Sequence, residues 1–249
     1  HNLTLSLFLT GSKEDEEKMY PRISRRGLLD GILIQAGRPD ETMIERLTNS
    51  SIPSVIIGRP FETDGISYID IDNVNAAIKA TRHLINLGYQ RIATITGNLD
   101  STVSEDRLEG FKKAMTAAGR IVDDSLMAEG DFTEISGYQA MNALLPARPD
   151  AIFAASDIMA AGAIRAILEA GLSVPRDIAI VGFDDVPIAR QSKVQLTTIK
   201  QPITRFGIKA VELLIDLIEN GTQPARRMIL DTELVIRDSC GAKILKEHA

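Results

Sequence analysis

The chain contains no tryptophan, one cysteine and three histidines in 249 residues. Cys240 alone cannot form an intramolecular disulfide, so no disulfide framework holds the fold, and a lone thiol suits a reducing, cytoplasmic setting. No His or Cys stands at ligand spacing from Cys240, so no metal site is expected. His1 and His248 lie at the ends of the sequence, and His83 falls in the helical pattern ATRHLINLG, where packing is its simplest role. No run of 18 apolar residues exists, which excludes a membrane-spanning helix and a membrane partner. With Lys+Arg 28 against Asp+Glu 34, the formal charge is −6. That balance argues against this piece gripping a nucleic-acid backbone by itself, because phosphate contacts need clustered Lys and Arg. The Gly-x-Gly-x-x-Gly, Walker, Gly-x-Ser-x-Gly and His-Glu-x-x-His templates are also missing. Neither an enzyme nor a cofactor is expected.

What is present is alternation. Short apolar runs at Leu3–Leu9, Gly31–Ile34, Ser54–Ile57, Tyr68–Ile71, Arg91–Thr96, Leu126–Glu129, Ala151–Ala155, Ile178–Phe183, Thr197–Ile199 and Glu233–Ile236 read as strands. Helical periodicity falls between them, at Glu41–Thr48, Val74–Leu87, Arg107–Ala118, Glu134–Leu145, Asp157–Ala170 and Thr204–Glu219. The acidic run Glu14–Glu17 reads as a solvated helix start. Gly88, Gly119, Gly171 and Gly221 follow four helices as stop signals. Repeated strand–helix alternation predicts an α/β fold with parallel sheets flanked by helices. The number of units exceeds one sheet, so two Rossmann-like lobes are expected.

The densest information lies between Pro149 and Pro202. One apolar strand runs into Ser156-Asp157 and the next into Asp184-Asp185. An earlier strand delivers Gly58-Arg59, and Arg107 heads the helix RLEGFKKAM. Ligands of open α/β sheets sit beyond the carboxyl ends of strands. A carboxylate and an arginine fork there suit a polyol, and Phe132 offers an apolar face for a sugar ring. Each has a plainer reading. Arg107 could pair on the surface with Glu105 or Asp106, Ser156 and Asp72 could cap helices, and Phe132 could be core. Asp184-Asp185 could suggest paired acid–base carboxylates, but adjacent loop residues usually point apart.

The segments ASDIMAAGAIRAI, GLSVPRDIAIVGFDD and LTTIKQP, with IPSVIIGRP, IDIDN and TELVIRDSC, resemble the effector domain of the LacI/GalR family of bacterial transcription regulators. That resemblance implies a periplasmic-binding-protein-like fold, with one lobe of residues 1–87 plus 202–226, another of 88–201 plus 227–249, and a ligand cleft between them. It carries ligand-binding roles onto Arg59, Arg107, Phe132, Ser156, Asp184 and Gln201, with Asp72 as a weaker candidate. Ser156 stands where sugar-binding members commonly have Asn, which leaves a sugar, a sugar derivative or a nucleobase as the effector. The helix-turn-helix head and hinge, and the first strand and helix of the N-lobe, are not in the sequence. His1 therefore aligns with the family's second strand, and the chain reads as a piece of a longer protein. Operator DNA is expected as a partner only through that head, and a homodimer is expected from paired half-sites. An exported sugar-binding protein of a transport system is the alternative; an enzyme on this scaffold lacks a nucleophile.

Overall fold

The computed structural model describes residues 4–9, 13–23, 27–35, 46, 50, 52–61, 63–191 and 194–243. The chain divides into two compact units, His1–Ile69 with Gly207–Met228, and Asp70–Phe206 with Ile229–Ala249. Expected helix Glu41–Thr48 lies outside the described residues, apart from Arg46.

The first unit opens with helix α1 (Lys13–Ile23), which contains Pro21. Strands β1 (Ile32–Gln35), β2 (Ser54–Ile57), β3 (Ser67–Ile71) and β9 (Arg227–Leu230) form a sheet in that order. The β1–β2 and β2–β3 pairs are parallel, with Ile32 opposite Ser54 and Val55 opposite Ser67. Ile34, Ile56, Ile66 and Tyr68 make a small core against one face. The strand expected at Leu3–Leu9 is not formed: Thr4–Leu9 is irregular and Leu5 is 89 % exposed. Alternating apolar residues permit a strand, but only a hydrogen-bonded neighbour makes one. Strand β9 is not among the expected strands; its Arg227-Met228-Ile229-Leu230 stretch closely follows Pro224.

The second unit is a six-stranded sheet, ordered β10 (Glu233–Val235), β8 (Thr197–Lys200), β7 (Ala179–Asp184), β6 (Ala151–Ala154), β4 (Ile92–Thr96) and β5 (Met127–Glu129). All pairs are parallel except β10 with β8, where Leu234 faces Ile199. Between strands come α2 (Asn73–Asn86), α3 (Thr102–Ala117), α4 (Glu134–Leu144), α5 (Asp157–Glu169) and the short α6 (Ile188–Gln191), and α7 (Ile203–Asn220) leads back to the first unit. Strands β4 and β6 are buried along their whole length, as parallel strands covered on both faces must be. Ile95, Ile152, Met141, Met159 and Ile167 fill the core on the α4–α5 side.

Helix α2 lies in the second unit and packs tightly along α3: a Cβ on Gly110 would come within 2.3 Å of the Val74 carbonyl oxygen. One helix start differs from expectation. Helix α3 starts five residues before Arg107. Ser101 is its N-cap, accepting from the Ser104 N–H, so Arg107 sits in the second turn instead of heading the helix.

Candidate functional site

In the second unit the chain runs from β4 to β5 on one side and returns to β6 on the other. Loops leaving β4 and β6 therefore part at the carboxyl ends of neighbouring strands, which opens a crevice there. Arg107, from α3 after β4, spans it. Its Nη1 donates to the carbonyl of Ala155, the residue just after β6, at 2.6 Å. Its Nε donates to Asn73 Oδ1 at 2.9 Å, and its guanidinium lies 3.6 Å from the centroid of the Phe183 ring.

The same Nη1 stands 3.5 Å from Oδ1 of Asp184, the last residue of β7. Gln201 Nε2 donates to that oxygen at 2.6 Å. The meeting follows from register: Asp184 pairs with Lys200 on parallel β8, so Gln201 emerges at the same end of the sheet. Arg107 is only 4 % exposed. Burial lowers its pKa, while Asp184, Asp70 and Asp157 oppose the loss of charge. Burial raises the Asp184 pKa, and Arg107 and Gln201 pull against it. One buried cation and one partly buried carboxylate thus meet at the carboxyl ends of these strands.

Sequence comparison with known proteins agrees with this architecture. The profile of the periplasmic binding protein-like domain matches residues 81–240. The HTH-type transcriptional regulator CelR of Thermobifida fusca is 39% identical over 215 residues, 85% of this chain and 63% of the relative. A solved CelR–cellobiose complex superimposes with TM-score 0.87 at 36% identity, covering 92% of this chain and 71% of that one. A LacI-family regulatory protein from Chloroflexus aggregans gives TM-score 0.83 at 31% identity, over 89% and 80% of the two chains. The chain belongs to the LacI/GalR family of transcriptional regulators. It spans under two thirds of the length of the curated relative CelR.

Of the residues that the family pattern singles out, the second unit brings Arg107, Asp184 and Gln201 into direct contact. Ser156 is buried beside them, one residue beyond the Ala155 carbonyl, and its hydroxyl accepts from the Met159 N–H as the cap of α5. Phe132 has φ +69 and lays its ring over Gly97, where any Cβ would lie 2.1 Å from Cζ. Asp72 is exposed and caps α2, accepting from the Asn75 N–H at 2.9 Å. Arg59 belongs to the first unit, where it follows the Gly58 turn after β2.

Three participants were not foreseen. Asn73 is buried and links Arg107 to Asp70, whose carboxylate it meets at 3.3 and 3.4 Å. Asn73 is the third polar residue of IDIDN, after Asp70 and the capping Asp72, and nothing in that spacing assigns it a partner. Asp157 is fully buried, accepting from Thr198 Oγ1 at 2.6 Å and from the Val186 N–H at 3.0 Å. Burial pushes its pKa up to about 7, the Thr198 bond opposes this, and nearby Asp184 adds to it. Asp185 points away from Asp184 and is paired with Arg190 and Arg237. Nothing in the spacing of TELVIRDSC predicts that Arg237 returns to this corner.

Proposed function

We propose that this chain is the effector-sensing part of a LacI-type regulator, and that its ligand is a small polyhydroxylated molecule, a sugar or sugar derivative. Arg107, Asp184, Gln201, Ser156 and Phe132, with Arg59 and Asp72, are its ligand-binding residues. The observation that carries the reading is the buried Arg107–Asp184 contact with Gln201 on the same carboxylate oxygen. A carboxylate takes hydroxyl hydrogens and a guanidinium offers hydrogens to ring and hydroxyl oxygens, so paired donors and acceptors fit adjacent hydroxyl groups. Cellobiose in the CelR complex supports a neutral sugar. The relatives are named as regulators, which does not favour the transport-protein alternative. In the full protein, ligand binding shifts the equilibrium between two regulator states by its differential affinity for them. Operator binding belongs to the helix-turn-helix of the longer cytoplasmic regulator, acting as a homodimer.

The test is thermal denaturation of the chain with neutral mono- and disaccharides, cellobiose among them, and with sugar phosphates and nucleobases. At a hundredfold excess over Kd, a true ligand stabilises the chain by about 2.7 kcal/mol. Asp184→Asn and Arg107→Met should each abolish that gain while circular dichroism stays native-like. A gain from nucleobases alone overturns the sugar assignment; a gain that survives both substitutions moves the site elsewhere.

A further inference from the structure

Asp184 and Asp185 occupy backbone conformations that L-residues avoid, with φ +113 and φ +58. Consecutive non-glycine residues in that region cost free energy and persist only when their surroundings over-determine them. Around this corner the restraints are numerous. The Asp185 side chain is 2 % exposed, and Arg237 Nη2 donates to its Oδ1 at 2.5 Å. Arg190 Nη2 donates to its Oδ2 at 2.6 Å. Arg237 is itself fixed: its Nη1 donates to the Leu196 carbonyl at 2.7 Å, and its backbone N–H donates to Thr197 Oγ1 at 2.9 Å. On the other flank, the Val186 N–H donates to buried Asp157.

The two arginines are unequal. Arg237 comes from the segment after β10, packs beside β8 and is 11 % exposed, whereas Arg190 lies mostly in solvent. An ion pair out of water, with a doubly hydrogen-bonded partner, resists exchange with solvent; an exposed one contributes little. Asp185 is held low in pKa: burial raises it, but the bonds and charges of Arg190 and Arg237 outweigh that. It is therefore a fixed anion at physiological pH, with no acid–base partner.

We propose that Asp185 and Arg237 are positioning residues for the ligand site: their buried pair locks the strained corner and so aims the Asp184 carboxylate at Arg107 and Gln201. The proposal rests on the reading of Asp184 as a ligand-binding residue only for its consequence, since the positioning itself exists without ligand. It gives the segments GLSVPRDIAIVGFDD and TELVIRDSC one shared physical role, as opposite jaws of a clamp.

The experiment reads the Gln201 side-chain amide by ¹⁵N NMR in the ligand-free chain, where its bond to Asp184 slows hydrogen exchange. In Arg237→Met and in Asp185→Asn, exchange is expected to quicken about tenfold, as for a lost hydrogen bond. Arg190→Met should change it less than about twofold, as for an exposed pair. A Leu144→Ala control, which opens the core away from this corner, should lower the melting temperature and leave Gln201 protected. Asp185→Asn keeps the side chain's size and the positive φ while removing the charge, so it decides the matter if Arg237→Met does not fold. Wild-type protection in Asp185→Asn, or equal loss of protection in the Leu144→Ala control, overturns the proposal. Failure of every sugar to bind would strike the function proposed above and leave this result standing.

Discussion

Strands β4 and β6 of the second unit are buried from end to end, and β7 is buried up to its last residue, Asp184. Among the described residues of the first unit, β3 is buried throughout, β1 and β2 are half-covered, and Leu28, Ile208 and Val211 stand exposed. The difference lies in what covers the sheets. Helices α4 and α5 interlock on the second sheet at glycine contacts: a Cβ on Gly162 would lie 2.0 Å from the Glu134 carbonyl oxygen, and one on Gly137 2.2 Å from that of Met159. Backbones so close leave no slack, and a platform without slack can hold Arg107, Asp184 and Gln201 at bonding distance. The first unit shows no comparable polar cluster among its described residues.

The contrast can be broken most severely at those glycines. Gly162→Ala should destabilise the chain by about 3 kcal/mol, since a methyl group in backbone contact forces the helices apart. Denaturant unfolding measures it, and a cost under about 1 kcal/mol would show that the helices give way. A smaller effect follows from Asp157. Its carboxyl titrates at 3.8 when unfolded and at about 7 when folded. Between these values the folded chain keeps a proton that the unfolded chain releases, so stability is full at low pH and falls as pH rises toward 7. The loss should approach about 1 kcal/mol per pH unit between roughly pH 5 and 6.5, and Asp157→Asn should flatten the curve by that amount. Parallel curves for wild type and variant would contradict it. Smallest is Gly207→Ala in α7, where a new Cβ meets nothing within 4 Å. A gain of about 0.5–1 kcal/mol is expected from the stiffer unfolded chain and better helix propensity. A loss there would mean the α7 face is covered.

Much of this site was legible residue by residue. Asp184 could be read from an apolar strand ending in acids, and Ser156 from a polar residue between a strand and a helix. Arg107 was legible as a residue but not in its setting: its helix begins at the Ser101 cap, and its burial excludes a surface ion pair. Asn73, Asp157 and Arg237 were illegible for a different reason. Each acts across gaps of 29 to 52 residues, Arg107 being 34 from Asn73, Val186 29 from Asp157, and Arg237 52 from Asp185. Local pattern carries no record of partners that far apart. The irregular Thr4–Leu9 segment shows the same limit from the other side, because a strand's pattern does not supply its neighbour.

The order of amino acids alone set the alternation of strands and helices, their glycine stops and the family, since these depend on periodicity and short-range sterics. Tertiary structure decided which polar groups meet, which carboxyl has its pKa raised by burial and which corner is held under strain. Those outcomes depend on register between parallel strands and on exclusion of water, and neither exists until the sheet has closed.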